Sequence, residues 1–351
     1  MLAQSRHAIP PPYEWWRSIG RWLGFPKPVD SDANAHAKIV PTLDASIHDD
    51  ENLAWCGTLQ LAWNQGRACF GGKPIKLDPP SALADSLNHQ QFDIACVDAD
   101  SVFTACGPLD AGIVDQLKTY LRKIGVPESR VLGPDGLWPG LDEFICYARL
   151  DKNLKFPTPY GSLGYRALDG RKVPCFGYLK DTRNANEARK QTLIHHYESP
   201  QDFIIELQTR DSADMLLLAK APPAAVLGEM VRTVVDQLHA APIFAGGNDV
   251  LIVPCITFSS TESFAELQGR RIVEHAGWFM KSAMQAIDFK MNEKGVILHS
   301  EANISFARSL AAVAQHVMVL EPPFLIVMKR KDATEPYFAA WIANTDLLKR
   351  S

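Results

Sequence analysis

Apolar residues recur at helical spacing in several segments of the chain, and each of these segments predicts a helix. The segments are 13–25, 51–65, 112–125 and 224–238. In 51–65 the apolar residues lie three or four positions apart, which favours a buried helix. The helix predicted at 112–125 is amphipathic, and Gly125 and Pro127 are residues that commonly end helices.

Shorter apolar runs without helical spacing predict strands. They are 92–105, 141–150, 202–210, 214–220, 249–258, 282–292, 324–330 and 336–343. The runs 202–210 and 214–220 form a predicted hairpin around Asp211 and Ser212. In the second half of the chain, strands follow one another with few helices between them. We therefore expect an α+β fold with large mixed or antiparallel β-sheets and several helices packed around them, rather than a doubly wound parallel sheet.

Residues 1–40 differ in character from the rest of the chain. Prolines lie on both sides of the apolar segment 13–25, which predicts a short amphipathic helix there, and 27–40 has the character of a linker. We therefore divide the chain into an N-terminal arm, 1–40, and a single domain, 41–351. We expect the helix of the arm to dock on its own domain. The alternative is a helix that binds a membrane surface or a partner, but it would carry only two arginines beside one glutamate.

The overall composition is that of an ordinary globular protein. The chain has 351 residues, 46% of them hydrophobic and 22% charged, which is enough for one large core. The net charge is −4, and no run of basic residues interleaves with aromatic residues, so we expect no nucleic-acid binding. The N-terminal sequence lacks the apolar core of a secretory signal. No stretch approaches the ~20 apolar residues that span a bilayer, so we expect no membrane span.

The seven cysteines are an odd number and are scattered without a close pair in the sequence. This pattern argues against a disulfide framework and against a zinc cluster. We therefore expect a cytoplasmic protein with free thiols, and we expect neither a metal nor a cofactor.

Motifs of catalytic chemistry are missing from the sequence, which contains no glycine-rich phosphate loop, no H-E-x-x-H and no G-x-S-x-G. Cys56, in Trp-Cys-Gly, is the candidate nucleophile for an enzyme. It falls in the middle of the helix predicted at 51–65, which fits a buried apolar side chain better. His195 and His196 are adjacent, so on a strand they point to opposite faces and cannot easily share one ion. We therefore predict that the protein has no catalytic residues and is not an enzyme.

Two segments near the C-terminus resemble the corresponding part of serpins. The segment 282–295 is similar to the strand and hinge that lead into the serpin reactive-centre loop, and it ends Asn-Glu-Lys-Gly. The segment 322–346 is similar to the terminal hairpin of the family. Weaker similarity extends upstream in the same order, although the family's Trp-containing strand motif has only a partial counterpart at 144–156. The resemblance implies a divergent serpin-like fold.

The resemblance also assigns a hinge and a loop. The hinge is Glu293, Lys294, Gly295 and Val296. The residues that follow are bulky or charged, whereas inhibitory serpins carry small residues there, so we expect slow loop insertion. Apolar and polar side chains alternate through 296–306, which predicts that this segment forms a strand, or pairs readily, in the resting protein.

We keep two functions for this loop. The favoured interpretation is a non-inhibitory binding or structural protein whose variable surface is the segment 295–320, which would contact a protease or another protein. The alternative is a serpin-type inhibitor of an intracellular serine or cysteine protease, with Arg308–Ser309 as the bait bond.

Overall fold

The computed structural model of the chain describes residues 36–108, 111–123, 144–180, 182, 184–238, 241–281, 283–297 and 316–349. These residues form several β-sheets with helices packed around them, which confirms the predicted α+β class. Among the described residues, no helix has the length and apolar character that crossing a membrane requires.

The largest sheet has eight strands and sets the last strands of the chain beside the first ones. In spatial order the strands are β1 (Lys38–Ile39), β2 (Leu53–Cys56), β20 (Phe338–Ile342), β19 (Phe324–Arg330), β11 (Asp214–Lys220), β10 (Asp202–Leu207), β9 (Thr192–Ser199) and β12 (Ile243–Phe244). All neighbours are antiparallel except β1 and β2. Strands β11 and β20 are buried at every position. Both faces are therefore covered, which explains why their sequences are continuous apolar runs.

Smaller sheets surround the large one. One four-stranded sheet contains β18 (Val317–Val319), β13 (Val250–Pro254), β8 (Arg171–Tyr178) and β7 (Gly161–Leu168). The other, which we call the hinge sheet, contains β14 (Ile256–Ser263), β16 (Met284–Asn292), β17 (Gly295–Ile297) and β6 (Asn153–Lys155). Two strand pairs complete the set: β4 (Val102–Pro108) with β5 (Phe144–Leu150), and β3 (Leu77–Asp78) with β15 (Arg271–Ile272).

The helices of the described part lie against these sheets. They are α1 (Thr58–Cys69), α2 (Ala82–His89), α3 (Ala111–Lys123), α4 (Ala185–Arg189) and α5 (Leu227–Asp236). Helix α2 begins after Ser81, whose hydroxyl accepts the N–H of Ala84 at 3.1 Å and caps the first turn. Helix α5 buries Leu227, Met230 and Val234, which are spaced to form one face.

Several predicted elements are confirmed. The helix predicted at 112–125 is α3, and the hairpin around Asp211 and Ser212 joins β10 to β11 in antiparallel register. The predicted strands at 141–150 and 282–292 correspond to β5 and β16. The two C-terminal runs pair with each other as β19 and β20.

The helix predicted at 51–65 is wrong in its first part, because the chain forms β2 and then α1. Gly57 separates the two elements, and a Cβ on it would lie 2.1 Å from the ring of Phe92. Leu53 and Ala54 continue the helical spacing of α1, but their backbones pair with Trp341 and Ala340 of β20. Pairing within the large sheet therefore overrides the local pattern.

Two further predictions need correction. The run predicted as one strand at 249–258 forms β13 and β14, which join different sheets on either side of Cys255. The C-terminal end of the predicted linker 27–40 is part of the fold, because Lys38 and Ile39 pair with β2 and both Ala37 and Val40 are buried. The helix predicted at 13–25 lies outside the described residues, and the division of the chain at residue 40 stays a prediction.

Candidate functional site

The candidate site is the segment that connects β17 to β18, which the resemblance to serpins assigns to a loop. Its residues 298–315 lie outside the described part of the chain, and so does the predicted bait bond Arg308–Ser309. The structure therefore shows how the two ends of the loop are held.

The first residues of this segment, β17, lie inside the hinge sheet. We call the space between β16 and β6 that they occupy the slot. Strand β17 lies between β16 and β6 and is antiparallel to both, so Val296 is paired with Met291 on one side and Leu154 on the other. Val296 and Met291 have no exposed surface, and Leu154 is 2% exposed. Of the strand predicted at 296–306, Val296 and Ile297 are thus paired in the structure, and the remainder lies outside the described residues.

The turn before β17 is fixed by hydrogen bonds. The side-chain oxygen of Asn292 accepts the backbone N–H of Lys294 at 2.9 Å. The carbonyl of Glu293 accepts the N–H of Tyr160 at 2.8 Å, and that of Lys294 accepts the N–H of Phe156 at 3.0 Å. An Asn side chain that closes a turn on its own backbone is a common local device, and here it directs the chain into the slot.

Gly295 is required where this turn meets β6. Its φ is +148°, which side chains rarely adopt, and a Cβ would lie 2.2 Å from the carbonyl oxygen of Leu154. The predicted hinge residues Glu293, Lys294, Gly295 and Val296 therefore form the turn and the start of the inserted strand, and their action as a hinge stays a prediction.

A buried ion pair fixes the other edge of the slot. Lys152, directly before β6, places its Nζ 2.7 Å from Oδ2 of Asp214 on β11, and both side chains are almost fully buried. The ammonium also lies 5.4 Å from the ring centroid of Tyr337. These contacts attach β6 to the large sheet.

The returning end of the loop is held by Asp249. This carboxylate is fully buried, accepts the backbone N–H of His316 at 2.9 Å, and lies 3.0 Å from Nδ1 of the His316 ring. It also accepts the N–H of Gly246 at 2.6 Å. Tyr197 adds a further contact, because its hydroxyl accepts the N–H of Val317 at 3.1 Å. Together these bonds position β18 for parallel pairing with β13.

The sequence analysis missed Asp249, His316 and Tyr197. The available signal was Asp249 itself, since an acidic residue directly before a buried apolar strand needs a partner. Its main partner, His316, is 67 residues away and is brought close only by the pairing of β18 with β13.

The structure places Cys56 at the end of strand β2, and the prediction that it lies within a helix is wrong. The hydroxyl of Thr58 lies 3.8 Å from its sulfur. Burial raises the pKa of the Cys56 thiol. A protonated thiol is a poor nucleophile at neutral pH, so this environment gives no support to a catalytic role.

The adjacent histidines have different partners, as their positions on a strand predict. Nε2 of His195 lies 3.2 Å from the buried carboxylate of Glu206, whereas Nε2 of His196 lies 3.3 Å from Asp202. His196, Glu198 and Asp202 each offer a ligand atom within 4.8 Å of the others, a grouping that the sequence analysis did not anticipate. This group lies on the partly exposed β9–β10 hairpin.

Comparison with known proteins identifies the fold. No protein-family model and no curated protein matches the sequence. The structure is similar to that of thyroxine-binding globulin in complex with thyroxine, with a TM-score of 0.50, 10% sequence identity, and coverage of 84% of this chain and 93% of that chain. The chain has a divergent serpin-like fold.

Other serpin structures match as well. A serpin from Schistosoma mansoni gives a TM-score of 0.48 at 14% identity and covers 84% of this chain and 95% of that chain. Serpin48 from the insect Tenebrio molitor gives 0.44 at 11% identity and covers 96% and 100%. The divergent serpin-like fold that the sequence resemblance implied is confirmed by the match to thyroxine-binding globulin. At these identities the likeness concerns the fold alone.

Proposed function

We propose that this serpin-like chain is a binding or structural protein that does not trap proteases, with the segment 295–320 as its partner-binding surface. The observation that carries the proposal is the packed surrounding at the end of β17, where Phe289 of β16 is stacked between two rings and Lys152 beside β6 is held in a buried ion pair. Trapping would require the loop to lengthen β17 rapidly after cleavage. Bulky residues pass slowly into a close-packed interior, so this step is disfavoured.

The next loop residue would meet a closed environment on β16. Continuing the register beyond the pair Ile297–Lys290 would bring Leu298 opposite Phe289. The ring of Phe289 is already stacked between Phe258 and Phe338, with centroid distances of 5.5 and 4.9 Å. A leucine that enters would have to pack against this aromatic cluster.

The β6 side of the slot also disfavours insertion of the loop. Continuing the register beyond the pair Ile297–Asn153 would bring Leu298 opposite Lys152, whose buried ion pair with Asp214 attaches β6 to the large sheet. Separating a buried ion pair is strongly unfavourable. Both edges of the slot therefore favour a loop that is cut as a substrate over one that inserts.

Incubation with a trypsin-like protease tests this proposal. We expect cleavage within 298–315, no complex that survives SDS gel electrophoresis, and nearly the same melting temperature before and after cleavage. The variant Arg308→Ala identifies whether Arg308–Ser309 is the bond that is cut. The variant Leu298→Ala is the matched comparison, because a smaller residue at this position lowers the barrier to insertion and should raise the melting temperature of the cleaved form. An SDS-stable complex of the unaltered protein, with a large rise in melting temperature on cleavage, would instead establish the inhibitor.

We also infer that the protein acts by binding rather than by catalysis and that it works in the cytoplasm. The raised pKa of Cys56 supports the first point. The odd number of cysteines supports the second, because disulfide frameworks pair their thiols. Cell fractionation with an antibody against the protein tests the location.

A further inference from the structure

Two cysteines that are distant in the sequence meet on the β4–β5 pair. Cys106 and Cys146 are directly opposite each other in the antiparallel register, and their sulfur atoms are 2.8 Å apart. Opposite residues of antiparallel strands have Cα atoms about 4.5–5.5 Å apart, and disulfides join Cα atoms roughly 4.4–6.8 Å apart. The backbone therefore already has the spacing of a disulfide, and closure requires only a small movement of the two side chains.

A third thiol lies beside this pair. Helix α1 packs on both β4 and β5 and ends at Cys69, an exposed residue that is close enough to Cys106 for that thiol to raise its pKa. One turn earlier, Gly66 faces the pair, and a Cβ there would lie 3.2 Å from the sulfur of Cys146. The small residue allows the end of the helix to come close to the β4–β5 pair, which brings Cys69 to the same side of the fold as Cys106 and Cys146.

We propose that Cys106 and Cys146 form an oxidisable dithiol that closes to an intramolecular disulfide, and that Cys69 relays oxidation to it from a low-molecular-weight disulfide such as oxidised glutathione. The Cys69 thiolate attacks the glutathione disulfide and releases one glutathione. The Cys106 thiolate then attacks the Cys69 sulfur and releases the second. Finally, the Cys146 thiolate attacks the Cys106 sulfur, and Cys69 leaves and regains a proton. Two electrons and two protons pass from the pair to glutathione.

The pKa values of the Cys69 and Cys106 thiols determine the rate of this relay. Burial, followed by the neighbouring Cys106, raises the pKa of Cys69 to about 11. The hydrogen bond with Cys146, followed by burial, raises the pKa of Cys106. Because the thiolate is the attacking species, the relay is slow at neutral pH, and its rate should rise about tenfold per pH unit between about pH 7 and 9.

The first test is a thiol count on the full-length protein after incubation with oxidised glutathione. We expect denaturing alkylation to find the free thiols reduced from the seven of the sequence to five, and peptide mapping to find Cys106 joined to Cys146. The disulfide should raise the melting temperature by roughly 3–6 °C, because it constrains the unfolded chain. Seven free thiols, a disulfide between other cysteines, or glutathione retained on Cys69 alone would each overturn the proposal.

Variants then separate the pair from the relay. Cys146→Ser should abolish the disulfide, whereas Cys69→Ser should give the same disulfide at least about tenfold more slowly, because the exposed attacking thiol is lost. Cys96→Ala removes a thiol outside the cluster and should oxidise like the unaltered protein. If Cys69→Ser oxidises at the original rate, the relay is refuted. If Cys146→Ser fails to fold, the peptide map of the unaltered protein still decides whether the pair forms.

Discussion

His316 and Asp249 hold each other across 67 residues of sequence, with the backbone N–H of His316 2.9 Å from Oδ1 and its ring Nδ1 3.0 Å from Oδ2. The same carboxylate accepts the N–H of Gly246. One buried acidic side chain thus holds the point where the loop re-enters the fold. The sequence around Asp249 alone does not indicate this role.

The first prediction concerns this acidic residue. Asp249→Ala removes the acceptor of the Gly246 and His316 N–H groups, and each buried donor left unpaired should cost about 1–3 kcal/mol. Urea unfolding measures the loss, and hydrogen exchange should show faster exchange of the β18 amides. Asp332→Ala is the control, because its ion pair with Arg330 is exposed and should contribute about 0–1 kcal/mol. Equal stability of the two variants would contradict the role assigned to Asp249.

The second prediction concerns the turn at Gly295. Gly295→Ala places a Cβ against the Leu154 carbonyl at an unfavourable φ, so we expect a loss of about 1–3 kcal/mol and easier cleavage of the loop. Guanidinium unfolding and limited proteolysis measure these effects. Gly247→Ala is the matched comparison because nothing lies within 4 Å of its added Cβ. If both variants behave alike, the close approach of β17 to β6 is wrong.

The third prediction concerns the ion pair beside the slot. Lys152→Met leaves Asp214 buried without its cation and should cost about 3–5 kcal/mol. The double variant Lys152→Met, Asp214→Leu should recover much of this loss, since no charge then remains buried. Lys38→Met is the surface control: its pair with Glu51 has a similar distance of 3.0 Å but is exposed. A small effect of Lys152→Met in denaturant unfolding would show that the pair does not hold β6.

The fourth prediction concerns pH. The carboxylate of Glu266 accepts the N–H of Leu83 and the hydroxyl of Ser81, and these bonds lower its pKa below the ordinary 4.5. A lowered carboxyl pKa stabilises the fold above the unfolded value, and the contribution is lost as the pH falls through the folded value. Glu266→Gln should therefore melt below the unaltered protein near pH 7, and the gap should close on acidification. A gap that stays constant down to about pH 3 would rule out this linkage.

The sequence predicted strands well where both faces are buried, because continuous apolar runs such as 324–330 and 336–343 leave little choice of structure. It failed at 51–65, where Leu53 and Ala54 extend the helical spacing of the following residues. The deciding interaction there is the pairing with β20, which no local pattern contains. The boundary between a strand and a following helix is therefore hard to predict from local spacing alone.

The residues of the candidate site also fall into two groups, those that the sequence indicated and those that only the fold brings together. The predicted hinge residues Glu293 to Val296 are consecutive, so a short resemblance was enough to propose them. The groups that hold the return of the loop, Asp249 and His316, come together only through the pairing of two sheet strands. Cys106 and Cys146 also come together only through strand pairing. They are 40 residues apart, so no local pattern in the sequence relates them.

The place of β20 between β2 and β19 has a consequence for the newly made chain. Until residues 338–342 are synthesised, β2 and β1 have no link to the rest of the large sheet, and the edge of β19 lacks its partner. Unpaired apolar strand edges are prone to aggregation. Completion of this sheet therefore has to wait for β20, and a ribosome-bound fragment that stops before β20 should depend on chaperones to stay soluble.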